Sequence, residues 1–250
     1  MTLAAIIGGS GLTNLKDFEI THREVKRSPY GEPSSPLVYG RLGGQEVVFL
    51  ARHGHGHTIP PHEVNYRANI WAIKETGATR VIAVNAVGGI AANLKSGQLV
   101  IPDQIIDYTY SRSHTFFGNE QKPVTHVDFT YPYCEELRRV FIQAARAAGI
   151  EAAEHATYAA TQGPRFESIA EIKRLERDGA DIVGMTGMPE AGLARELGLC
   201  YASIAVVANP AAGKAAGEIS LQEIERTLEG GMQTVRSLLE RIIPLLLNVK

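Results

Sequence analysis

Short apolar runs that end in glycines or polar clusters alternate along this chain with stretches of helical period. That alternation points to an α/β fold built on a mostly parallel or mixed sheet. Residues 3–7 read as a buried strand entering the turn Gly8-Gly9-Ser10-Gly11, and residues 46–51 form a second apolar run. Residues 80–87 are strongly β-branched and end at Gly88-Gly89, while 155–161, 181–183 and 201–208 are further strand candidates. Helices are expected over 62–76, 132–148, 168–177 and 189–197. A last helix is expected from Ser220 towards residue 245, opened by a Ser220/Glu223 capping box. The 250 residues suffice for one well-buried domain, read here as 1–250, with a central mixed sheet flanked by helices. Ligands of such sheets collect where strands end in loops, and the polar clusters lie at those ends.

Formal net charge is −2, with no basic face or tail, so nucleic acid and anionic membranes are not expected partners. Any phosphate must be held locally. Residues 1–7 carry no basic leader, and the apolar run 242–249 is shorter than a membrane span and broken by Pro244. Cys134 and Cys200 stand far apart without C-x-x-C spacing and read as separate buried thiols, which fits a reducing compartment. A cytoplasmic location is therefore expected.

Several segments can carry chemistry, each beside a plainer reading. Gly8-Gly9-Ser10-Gly11 offers backbone N–H groups and a hydroxyl to a phosphate, or simply turns the chain. It has neither the Lys of a P-loop nor G-x-G-x-x-G spacing. Arg52-His53 beyond a buried strand suits an anion fork; the alternating His53, His55 and His57, with His62 nearby, also raise a metal site, or only loop hydrogen bonds. Asn85-Ala86-Val87-Gly88-Gly89 permits close approach of a ligand or tight helix packing. Phe166-Glu167, after Gly163-Pro164, pairs an aromatic face with a carboxylate, or opens a helix. Asn209 ends a strand where its amide reads a heterocycle or makes a turn.

Taken in order, the segments 7–12, 50–54, 64–72, 163–166, 184–186 with Pro189-Glu190, and 200–205 resemble the trimeric purine nucleoside phosphorylase family, especially its 5′-methylthioadenosine phosphorylase branch. The resemblance implies a phosphate site at Ser10, Arg52, His53, the backbone of Ala86, and Thr186. It implies ribose over Met185 and a base near Phe166, Glu167 and Asn209, with Asn209 and His53 as catalytic residues. It further implies no metal or organic cofactor, inorganic phosphate as co-substrate, a homotrimer, and His126 completing a neighbouring subunit's site. A purine-binding module without turnover and a metal hydrolase on the histidine cluster are the rival classes.

The chain departs from the adenine-type pattern, which has aspartate at 209, serine at 167 and a second aspartate where Pro210-Ala211-Ala212 stands. Glu167 can accept from the N1–H of a 6-oxopurine, and the Asn209 amide can donate to O6 or share a proton with N7. Adenine presents a bare N1 to that carboxylate. Ordinary purine nucleoside phosphorylases carry a histidine near the ribose 5′-hydroxyl, whereas Leu221, with Ile224 one turn on, gives an apolar wall or merely core positions. The expected substrate is 5′-methylthioinosine, with methylthioadenosine phosphorylase or a general inosine/guanosine phosphorylase as alternatives.

Overall fold

A computed structural model describes residues 3–9, 12, 18–118 and 124–246. The first strand, β1 (Ala4–Gly8), is followed by β2 (Glu19–Glu24), β3 (Leu37–Leu42), β4 (Gln45–Ala51) and helix α1 (Tyr66–Glu75). Then come β5 (Arg80–Gly89), β6 (Leu99–Val100), β7 (Gln104–Asp107), α2 (Glu135–Ala147), β8 (Ala152–Ala153) and β9 (Thr157–Ala160). The chain closes with α3 (Ile169–Arg177), β10 (Ile182–Gly184), α4 (Gly187–Glu196), β11 (Cys200–Pro210) and α5 (Leu221–Leu246). All described strands join one mixed sheet, with the path β2-β3-β4-β1-β5-β10-β9-β7 and with β11 also on β5.

Period-two alternation sorts the sheet's two faces. Ala4 and Ile6 of β1 pack with Leu137 and Phe141 of α2 and with Val235 and Leu239 of α5. Ala5 and Ile7 pack instead with Ile70 and Ile73 of α1 and with Leu193 of α4. Side-chain caps fix where α1 and α3 begin. Asn65 accepts from Ala68 N–H at the start of α1, and Ser168 with Glu171 makes a reciprocal capping box on α3. Helix α1 therefore begins at Tyr66 rather than 62, behind the Pro60-Pro61 turn.

The central strand β5 has one edge covered along its length by β11. On its other edge, β1 pairs with residues 80–83 and β10 with Gly88 and Gly89. Among the described residues, no strand covers 84–87 on that edge. This notch, where β1 has ended and β10 has not begun, positions the site.

One expectation fails here. Cys134 and Cys200 are not separate thiols; they form a disulfide with Cα atoms 5.1 Å apart. The sheet brings them together: Cys134 N–H donates to the Tyr201 carbonyl at 2.8 Å, setting the start of α2 against the start of β11. A separation of 66 residues in sequence gives no hint of that contact. Among the described residues, no helix is long and apolar enough to cross a membrane.

Candidate active site

A cavity of about 770 Å³ opens over the notch. Its floor is Asn85–Gly88, and its walls come from the ends of β4, β10 and β11, the loop before α3 and the first turns of α5. Arg52, His53, Ala86, Met185, Thr186, Phe166, Glu167, Asn209, Leu221 and Ile224 all line it. Ser10 falls outside the described residues, although Gly9 beside it is on the wall. His126 is exposed on the segment before α2 and does not line this chain's cavity.

Arg52 is anchored from behind. Its side chain is 1% exposed and that of Glu190, in α4, is 0% exposed. Arg52 Nε donates to Glu190 Oε2 at 2.6 Å and Nη2 to Oε1 at 2.7 Å. Nη1 donates to the Val84 carbonyl at 3.0 Å, inside the uncovered stretch of β5. Three of the five guanidinium donors are thereby used, which leaves one N–H on Nη1 and one on Nη2 at the end of the fork for an anion. Burial works against the cation, but the charge and hydrogen bonds of Glu190 more than offset it and raise the Arg52 pKa above its ordinary value. Tyr201 Oη–H donates to Glu190 Oε1 at 2.8 Å, so the carboxylate is itself held.

A second chain of donors ends at Thr186. Ser203 Oγ–H donates to Asn85 Oδ1 at 2.6 Å, and Asn85 Nδ2–H donates to Thr186 Oγ1 at 2.8 Å. With its oxygen accepting from Asn85, Thr186 can turn its own proton to a ligand. His53 Nδ1 lies 2.8 Å from the Ile59 carbonyl, which can only accept, so Nδ1 carries the hydrogen. Burial first, and then the Arg52 charge, push the His53 pKa down to about 4 against the Ile59 hydrogen bond. The ring is neutral near pH 7, and Nε2 is an acceptor.

Of the other histidines, His57 stays beside His53. His57 sits at φ 58° with its ring centroid 4.4 Å from that of His53, and His62 lies 3.7 Å from Glu63. No three metal-ligating side chains gather among the described residues.

At the far end of the cavity, Thr161 Oγ1 donates to Glu167 Oε1 at 2.7 Å. Asn209 Nδ2 donates to the Pro210 carbonyl at 2.7 Å, just past the irregularity between Val207 and Asn209. Gly163, at φ 61°, brings the loop before α3 against Met185; a Cβ there would lie 2.5 Å from Met185 Sδ. Phe166 is 41% exposed and Leu221 63% exposed, so both present apolar surface at the open side.

The sequence reading missed three supports. Glu190 entered only as part of a family segment, and Asn85 only as a small strand end; Arg112 was not singled out. Asn85 and Glu190 carry a legible signal, an amide or charged side chain inside an otherwise apolar run, whereas Arg112 lies in a polar stretch and carries none. What none shows by itself is its partner.

The chain matches the phosphorylase superfamily over residues 4–244. It is 54% identical over 243 residues to a probable S-methyl-5′-thioinosine phosphorylase of Pseudomonas syringae pv. tomato, covering 97% of this chain and 99% of that protein. A 6-oxopurine nucleoside phosphorylase of Pyrococcus furiosus is 46% identical over 251 residues, covering 98% of this chain and 94% of its own. Among solved structures, methylthioadenosine phosphorylase from Schistosoma mansoni in complex with adenine superposes with a TM-score of 0.96 at 35% identity, covering 100% of this chain and 93% of that one. With the cavity, the fold and these relatives in agreement, this chain belongs to the phosphorylase superfamily and is an enzyme of its nucleoside phosphorylase group.

Proposed function

We propose that the chain cleaves 5′-methylthioinosine with inorganic phosphate, releasing hypoxanthine and 5-methylthioribose 1-phosphate for purine salvage. One observation carries the reading: a single cavity has an anion fork at one end and a carboxylate with an amide at the other. The relative of highest identity named above supports the same substrate.

In this reading, phosphate lies against Arg52, Thr186, Ser10, His53 and the backbone of Ala86. Ribose lies over Met185, and the base sits between Phe166, Glu167 and Asn209. Leu221 and Ile224 face the 5′-methylthio group. An apolar wall favours that group because a 5′-hydroxyl would be desolvated there without a partner.

A phosphate oxygen bonds to C1′ as the C1′–N9 bond breaks and its electron pair passes to the purine. Hydrogen phosphate brings one proton, and the departing base takes up one proton, so the step balances. A neutral His53 with Nε2 bare suits the P–OH group, because it accepts a hydrogen that the Arg52 guanidinium, which only donates, cannot. Asn209 Nδ2 gives one hydrogen to the Pro210 carbonyl and keeps a second N–H to donate to the leaving base near N7. Positive charge grows on the sugar between the phosphate and the base, so most of the work is positioning and electrostatic stabilisation.

No metal or organic cofactor has a part in this reading. We further propose a homotrimer in which His126 reaches a neighbouring copy's cavity. His126 stands on a segment that exposes Val124, Val127 and Tyr131, the surface such a contact needs. The cytoplasm, where salvage uses the products, is the proposed location, although the Cys134–Cys200 bridge removes the argument from free thiols.

Methylthioadenosine is the second reading, favoured by the adenine-bound structural relative. Glu167 opposes it. The test is cleavage of methylthioinosine, inosine and methylthioadenosine, each with and without phosphate. Phosphate-dependent turnover is expected to be fastest for methylthioinosine; a lead for methylthioadenosine would overturn the base assignment, and turnover without phosphate would overturn phosphorolysis.

A further inference from the structure

Glu167 reaches the cavity from a loop, yet a specificity group has to be held in place to discriminate. Its loop runs from Thr161 through Gly163-Pro164 to the Ser168 cap of α3, and its neighbour Phe166 is 41% exposed. A glutamate has three side-chain torsions to freeze before it can present an oxygen in one direction. The hydrogen bond from Thr161 Oγ1 to Glu167 Oε1, at 2.7 Å, ties the far end of this loop back to its start.

Thr161 is a rigid post. Its N–H donates to the Gly184 carbonyl at 2.8 Å, continuing the register of β9 on β10 by one residue. Its carbonyl, and that of Gln162, accept from Arg112 Nη2 at 3.2 and 2.7 Å. Arg112 Nη1 meanwhile donates to the carbonyls of Met185 and Met188 at 2.8 and 2.6 Å, and Nε to Gln162 Oε1 at 3.2 Å. One buried guanidinium thus clamps the root of the base-side loop to the ribose-side wall. Beyond Gly163 the loop is tied outward to α3, where Arg165 donates to both carboxylate oxygens of Glu171 at 2.8 Å and to the Phe166 carbonyl at 3.1 Å; the threonine hydroxyl ties the Glu167 carboxylate inward to the fixed root.

We infer that Thr161 is a positioning residue for base selectivity: it engages Glu167 Oε1 and so orients Oε2 as the acceptor for the N–H of a 6-oxopurine. The inference rests on the proposed reading of Glu167 as the base contact. A hydroxyl suits the task because it can donate to the carboxylate without adding a charge that would compete with the base. Thr161 does not touch the substrate and acts only through Glu167.

The experiment compares kcat/KM for methylthioinosine and methylthioadenosine in wild type, Thr161→Val, Thr161→Ser, Glu167→Gln and the Thr161→Val/Glu167→Gln double variant. Loss of a hydrogen bond to a charged acceptor predicts that Thr161→Val lowers the methylthioinosine-to-methylthioadenosine ratio about tenfold. Thr161→Ser keeps the hydroxyl and should hold the ratio within about twofold of wild type; in the Glu167→Gln background, Thr161→Val should move it by no more than about twofold. Thr161→Ala deletes the same hydroxyl and replaces the valine variant should that one fold poorly. An equal loss on both substrates, or the same drop with and without Glu167, would overturn the inference while leaving Glu167 as the base contact. A ratio unmoved by Glu167→Gln would overturn both the base reading and the role of Thr161.

Discussion

Glu190→Gln should cost the folded protein about 3–5 kcal/mol, because it removes one partner of a buried ion pair and leaves the other charged. The structure sets the size. Glu190 accepts from Arg52 Nε at 2.6 Å, Arg52 Nη2 at 2.7 Å and Tyr201 Oη at 2.8 Å, and both charged side chains are almost wholly out of water. Glutamine keeps the shape but puts an amide donor against one of these three donors and removes the negative charge that faces the buried guanidinium. For a chain of this length the loss corresponds to a melting point lower by about 6–20 °C. Urea denaturation and calorimetry at one fixed protein concentration measure it. Tyr201→Phe, which removes one hydrogen bond and keeps the pair, should cost only about 1.5 kcal/mol. A second readout is functional: with its side-on edge released, Arg52 loses the orientation that aims the end of its fork into the cavity, so the KM for phosphate should rise more than that for nucleoside. A Glu190→Gln variant within about 1 kcal/mol of wild type, with an unchanged phosphate KM, would refute the claim that Arg52 is held by its buried partner.

His53 favours its neutral form, so its share of stability is complete above its ordinary pKa of 6.5 and is lost as pH falls from there towards about 4. The loss amounts to about 3 kcal/mol. Urea midpoints of wild type and His53→Gln should therefore converge between pH 7 and pH 4, and a constant difference would contradict it. Reducing the Cys134–Cys200 bridge should lower stability by about 4 kcal/mol in the loop-closure account for a 66-residue separation. Thiol titration of the native, unreduced protein should find no free cysteine; two free thiols would refute the pairing.

Much of this could be read along the chain. The helices at α2, α3 and α5 announce themselves because burial on one face imposes a period, and that period is written in consecutive residues; β5, buried on both faces, announces itself by its near-continuous apolar, β-branched run. The short or exposed strands were missed for the same reason. Strand β2 is exposed at five of its six positions, and β6 and β8 have two residues each, too few for any period to show. They exist because a neighbouring strand offers them an edge.

The cavity follows the same division. Arg52, Glu167 and Asn209 stand out in sequence because they are charged or amide groups that close apolar segments or follow a Gly-Pro break, in or near segments that resemble the family. The purposes of Asn85, Thr161, Arg112 and Glu190 depend on partners 101, 6, 73 and 138 residues away, so they surface only once the sheet has closed. The sequence by itself determined the alternating α/β order, the family and the residue types proposed to meet phosphate and base. The tertiary structure alone decided the notch on β5, the direction of the Arg52 fork, the neutral His53 and the Cys134–Cys200 bond. Periodicity is a property of neighbours along the chain, whereas hydrogen-bond direction, desolvation and cross-linking are properties of neighbours in space.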